Sequence, residues 1–160
     1  DRLLFEFLIL EGAQAGLNWT LILQKRDNYR KAFDNFEIDN VAKYNEEKIT
    51  ELRNNPGIIR NKLKIRATVV NAGVVQKIQK EYGSFDSYVW QFVDHKPIQN
   101  KWKTLDEIPS STSESENMSK DLKKMGFKFV GPTICYSFMQ AVGMVNDHVV
   151  DCFRHHELMD

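Results

Sequence analysis

Leu3, Leu4, Phe5, Phe7, Leu8, Ile9 and Leu10 leave a helix almost no polar face, so the segment they form must be largely buried. It ends on Glu11, a carboxylate delivered to the protein interior. An ionised carboxylate persists there only when a partner, hydrogen bonds or a bound cation compensates it, which makes Glu11 a functional candidate. Gly12 and Gly16 are expected to break the helix. Asn18 can cap the next one, placing the Trp19 indole in its first turn, facing back across the turn toward Glu11. A structural reading stands beside the functional one: Glu11 as an ion-paired buried acid and Trp19 as a core residue.

The rest of the chain reads as helices. Asn18 to about Phe33 carries Trp19, Ile22, Leu23, Ala32 and Phe33 at helical spacing, with Lys25, Arg26, Arg30 and Lys31 on its exposed side. Asp39 is placed to cap a short helical piece through Tyr44. Asn45, followed by Glu46 and Glu47, opens a helix to about Asn54. Pro56-Gly57 stops it, and a long pattern from Arg60 (Leu63, Ile65, Ala67, Val70, Val74, Ile78) runs to Tyr82-Gly83.

Residues 46–82 therefore form a helix-hairpin-helix candidate. Such a hairpin uses a permissive glycine, here Gly57, to turn successive backbone N–H groups toward a phosphate oxygen. Arg60, Lys62, Lys64 and Arg66 surround it with positive charge. A strict Gly-apolar-Gly hairpin would carry glycine where Ile59 stands, and two helices joined by Pro-Gly occur in many helical proteins.

Further along, Ser84-Phe85-Asp86 opens a helix through Phe92. Ser113 and Glu116 match a capping box for a helix that Gly126 closes. Phe127-Lys128-Phe129-Val130 is too short and isolated for a strand and reads as a packed connector. Pro132 starts a core helix running to Val145, on which Ser137 either bonds its own helix or lines a pocket. No convincing sheet emerges.

The expected fold is therefore all-α: one compact helical domain spanning 1–160, long enough to bury a core without disulfides. With 22 basic and 22 acidic residues no overall field attracts a polyanion, so a nucleic-acid site would have to be a local patch. Two cysteines and no signal-like leader suggest a reducing, cytoplasmic setting, no apolar run is of membrane length, and a monomer is expected. The start at Asp1, inside a helical pattern and without Met, leads us to expect further residues upstream.

Several blocks taken together resemble the 3-methyladenine DNA glycosylase I family of the helix-hairpin-helix DNA glycosylase superfamily. They are Leu10-Glu11-Gly12 with Gln14-Ala15-Gly16-Leu17 and Trp19, Gly57-Ile58-Ile59-Arg60, Gly126 to Gly131, Thr133 to Ala141, and Val145 to Val150. The resemblance runs through essentially the whole chain. It implies a base-excision repair enzyme whose partner is double-stranded DNA containing alkylated adenine, with a non-catalytic helix-hairpin-helix DNA-binding module as the alternative.

Under that resemblance Glu11 is the catalytic carboxylate, and Glu11, Trp19 and Ser137 bind the flipped base. Gly16 and Leu17 enter the gap it leaves. Gly57, Ile59, Arg60, Lys62 and Lys64 hold DNA. Asp86, the tempting stand-in for an aspartate that related glycosylases use, stays outside the catalytic set because a helix-start carboxylate explains it. His148 and Cys152, four apart, would supply two ligands of a structural zinc. The family's other two ligands lie in an opening segment with no counterpart in these residues. His155 and His156 are local substitutes, though nothing in their spacing demands them.

Overall fold

The computed structural model describes residues 1–159. Helix α1 (Arg2–Gln14) lies at the centre and packs against α2 (Trp19–Ala32), α5 (Lys62–Tyr82) and α8 (Pro132–Ala141). Phe5, Leu8 and Leu10 are fully buried along it, whereas Leu3 is half exposed. The helix is thus less enclosed at its start than at Glu11. Gly12 does not break it. The helix continues to Gln14, and the turn comes at Gly16, whose φ of 77° lies in the left-handed region that glycine enters without strain. Asn18 then caps α2, its Oδ1 accepting from the Thr20 N–H at 2.7 Å.

Between α2 and α3 (Ile38–Val41) the chain makes a turn that the helical periodicity did not reveal. Asp34, Asn35 and Phe36 all have positive φ, and the N-cap of α3 is Glu37 instead of Asp39. Such a turn is costly for residues with side chains. Phe36 offsets that cost by burying completely, stacked on Phe33 and edge-on to Phe5, while Tyr44 Oη donates to Asp34 at 2.6 Å.

Helix α4 (Glu46–Arg53) begins at Asn45, whose side chain accepts from the Lys48 N–H. The turn at 54–61 joins it to α5, which Asn61 caps and Gly83 ends. Helix α6 (Phe85–Trp90) is shorter than the sequence pattern, giving way to a 3-10 turn at Gln91–Val93. Helix α7 (Ser113–Met125) ends at Gly126 as expected. Its capping box is Thr112 with Ser115, one residue ahead of the expected pair, because buried Ser115 closes it from inside.

Helix α8 stops at Ala141, short of Val145. Val145–Asn146 (β2) instead pairs in parallel with Ile98–Gln99 (β1), a two-residue ladder that corrects the expectation of no sheet. A short helix α9 (Phe153–Glu157) follows. The 127–130 segment is a connector, held by Asn71, which bonds both the N–H and the carbonyl of Lys128.

Candidate active site

Two glutamates on α1 are buried, and their surroundings differ completely. The Glu6 side chain has no exposure and sits among three arginines, with Arg26 Nε at 2.7 Å, Arg30 Nε at 2.8 Å and Arg2 at 3.6 Å. Arg26 and Arg30 therefore turn inward to α1 and do not belong to the exposed cationic side expected of α2. Glu11, 5% exposed, has no hydrogen bond or ion pair to any described residue. Burial alone pushes its carboxyl up to about 7.

What faces Glu11 is space. A cavity of about 580 Å³ is lined by Glu11 and Gln14 from α1, Trp19 from α2, Ser137 and Gln140 from α8, and Asp147. The structure thus brings Glu11, Trp19 and Ser137 to one cavity, and Ser137 makes no side-chain bond within its own helix. The turn bearing exposed Gly16 and Leu17 joins two residues of the wall, Gln14 and Trp19. Gln14 braces that turn by donating from Nε2 to the Leu17 carbonyl at 2.9 Å.

Asp147 is the opposite kind of acid from Glu11. Its Oδ1 accepts from Asn100 at 2.7 Å and Trp102 Nε1 at 2.8 Å, and its Oδ2 from Gln140 at 2.9 Å and from Tyr136 Oη. Burial pushes its carboxyl up, but the four donors together outweigh that and hold it below the usual range. It fixes the wall around Ser137 and has no lone pair direction left for a substrate proton. Asp86, exposed at the start of α6, does not line the cavity, and its N–H is bonded by the Asp1 carboxylate at 3.0 Å.

His148 and Cys152 also lie on the cavity wall. His148 Nδ1 and Cys152 Sγ are 3.8 Å apart, close to the roughly 3.6 Å between two such ligands on a tetrahedral zinc. The pair fits two corners of that site. Among the described residues no group of three or more His, Cys, Asp or Glu is gathered for a metal. His155 is not gathered with this pair: it is buried outside the cavity wall, with Nε2 2.8 Å from the Asn100 carbonyl.

The 54–61 turn departs from the expected phosphate cradle. Gly57 N–H is bonded to Asn55 Oδ1 at 2.8 Å and Ile59 N–H to Tyr29 Oη at 3.1 Å, so neither points outward. Glycine is needed at 57 for space: a Cβ there would lie 3.0 Å from Asn55 Oδ1 and 3.2 Å from Asn28 Cβ. Lys64 is likewise engaged, donating to the Ala13 and Ala15 carbonyls, and Arg66 grips Glu46. Arg60 and Lys62 remain exposed.

The sequence profile of the methyladenine glycosylases matches residues 1–155. The chain belongs to this family. Among its relatives, the DNA-3-methyladenine glycosylase 1 of Escherichia coli (strain K12) is 52% identical over 152 residues, a match covering 95% of this chain and 81% of that protein. A crystal structure of 3-methyladenine DNA glycosylase I superposes with a TM-score of 0.93 at 49% identity, covering 95% of this chain and 84% of the other. A variant of 3-methyladenine DNA glycosylase I in complex with 3-methyladenine gives a TM-score of 0.93 at 36% identity, over 95% and 82%.

For a methyladenine glycosylase, the residues that sequence reasoning passed over are Gln14, Gln140 and Asp147 in the cavity wall and Glu6 behind it. Asp147 carried a local signal, since an acid next to His148 in a mostly apolar stretch needs donors. Glu6 carried none, because its arginines come from another helix.

Proposed function

We propose that this chain excises 3-methyladenine from duplex DNA by hydrolysing the N-glycosidic bond of the flipped nucleotide. The observation that carries the reading is Glu11: a buried carboxylate without a partner among the described residues, opening on a cavity it shares with Trp19 and Ser137. Burying an acid in this way costs stability that no contact among the described residues recovers. A cationic ligand recovers it, and an N3-alkylated adenine is a cation until it leaves. A non-catalytic DNA-binding module would have no use for this arrangement.

The bond to such a base is already weak, so recognition does most of the work. Extrusion costs less for a damaged base than for a paired one. Trp19 stacks on the purine, where the indole face favours the charged ring, and Glu11 accepts hydrogen bonds from its edge. Ser137 offers a hydroxyl. When the C1′–N bond breaks, the electron pair leaves with the base and cancels its charge. Water adds to the sugar carbon and loses its proton. Gly16 and Leu17 fill the vacated stack, the leucine as an apolar plug. Arg60 and Lys62, at the head of α5 in the helix-hairpin-helix, hold phosphates.

The test is base release from methylated duplex DNA. The protein should free 3-methyladenine and leave unmodified adenine in place, and Trp19→Ala should slow release roughly 10- to 100-fold, the worth of one stacked base. Comparable release of normal adenine, or an unaffected Trp19 variant, would overturn the reading.

A structural zinc belongs to the same proposal, with His148 and Cys152 holding two of its corners and tying the chain end to the cavity wall. Bound there, zinc would supply cohesion and no chemistry. In the protein, chelator-resistant zinc should disappear in Cys152→Ser. The 160 residues taken by themselves should bind zinc only weakly. Stoichiometric, chelator-resistant zinc on that chain would show that its ligands are all local. A monomer in a reducing cytoplasm suits the two free cysteines, and among the described residues no helix is long and apolar enough to cross a membrane.

A further inference from the structure

The last turn of a helix leaves backbone carbonyls without partners, and at the end of α1 those of Gly12, Ala13 and Gln14 have found them. Gly12 O accepts from the Ala15 N–H and Gln14 O from the Leu17 N–H. The carbonyls of Ala13 and Ala15 both accept from one side chain, Lys64 Nζ, at 3.0 and 2.8 Å. Lys64 stands some fifty positions away, in the first turn of α5, where its own N–H is fixed by the Asn61 cap at 3.1 Å. Its ammonium also sits at the negative end of the α1 dipole.

We infer that Lys64 is a positioning residue that couples the DNA grip of the 54–61 hairpin to the base cavity. On one side of it stand Arg60 and Lys62. On the other, the two carbonyls flank Gln14, between Glu11 and the Gly16-Leu17 turn. Both segments are short, and the turn is braced again by Gln14 on the Leu17 carbonyl. Where the hairpin settles on the backbone therefore decides where Glu11 and Leu17 stand relative to the nucleotide being extruded. Lys64 makes no phosphate contact of its own; two of its three donors are already directed at the end of α1. Burial of its stem, which lowers its ammonium below the usual lysine range, agrees with that inward direction.

The inference rests on the glycosylase reading, and three measurements separate the two. Lys64→Met should bind undamaged duplex with an unchanged salt slope, since a phosphate contact would contribute about one unit of it. It should bind free 3-methyladenine within about twofold of the parent, because Lys64 does not itself line the base cavity. Single-turnover excision at saturating enzyme should nevertheless fall roughly 10- to 100-fold, as expected when reacting groups are misplaced by about an ångström. Lys64→Arg, which can still reach two carbonyls, should restore most of the rate.

A merely structural lysine would lower thermal stability without this split between binding and excision. A flatter salt slope in Lys64→Met would make the residue a phosphate contact and overturn the coupling, as would an undiminished excision rate. Should the Met variant fail to fold, Lys64→Gln, which keeps one donor, must show the same split in smaller measure. A parent that releases no 3-methyladenine would instead sink the glycosylase reading. Arg60→Ala should flatten the salt slope. If it does not, the hairpin is not the DNA grip and the coupling falls with it.

Discussion

Glu11→Gln should reduce release of 3-methyladenine roughly 100-fold and at the same time make the folded protein more stable at pH 8. Loss of activity follows from removing a charged acceptor that meets a cationic base, an interaction stronger than a neutral hydrogen bond. The gain in stability follows from linkage. Burial raises the Glu11 carboxyl to about 7, whereas in the unfolded chain it ionises near its ordinary value of 4.5. Between those values the unfolded state gives up a proton that the folded state keeps, so stability falls as pH rises. Above about pH 7 the cost is complete, on the order of 3 kcal/mol for a shift of this size. Glutamine carries no such cost. Denaturant titrations from pH 4 to 8 should show a declining stability in the parent that flattens in the variant. An equally steep decline in Glu11→Gln would mean that another group is responsible, and parental release rates would remove Glu11 from the mechanism.

The same substitution five residues earlier should act with the opposite sign. Glu6→Gln leaves Arg26 and Arg30, which approach the carboxylate at 2.7 and 2.8 Å, without their counter-charge at a site where the acid itself has no water. Breaking such a cluster on one side costs about 3 kcal/mol, the low end of the usual range because the guanidiniums keep some solvent. The melting temperature should drop by roughly 6–12 °C. An unchanged melting temperature would show that the cluster contributes nothing net. With the drop, one helix displays both uses of a buried acid, one stabilising its packing and the other held in reserve for a ligand.

That contrast also marks how far the sequence could be read. Burial of α1 toward Glu11 followed from its apolar run, and the caps at Asn18, Asn45 and Gly126 followed from local chemistry, so the helices and the Glu11 and Trp19 pairing were legible. Whether Glu11 or Glu6 was the ion-paired acid was not, because the answer depends on arginines 20 and 24 positions from Glu6. The same limit explains the hairpin. A basic cluster near a Pro-Gly turn looks like a phosphate cradle until Tyr29 takes the Ile59 N–H, Asn28 crowds Gly57 and the end of α1 claims Lys64. Each of those partners lies on α1 or α2, outside the reach of local periodicity. The short α8 was missed for the same reason: its continuation was helical by composition, but pairing with Ile98–Gln99 drew Val145 and Asn146 into a strand.

The cavity draws Glu11 and Trp19 from the opening of the chain and Ser137 and Asp147 from near its end, with α1 packed on α8 between them. Contacts this distant in sequence make the pocket depend on closing most of the chain, a topology that slows folding. Helices α1 and α2 supply the acid and the indole, but neither supplies the opposite wall that would hold a base. A product without α8 and the stretch after it would carry the acid and the indole but not the facing wall that Ser137 and Asp147 supply.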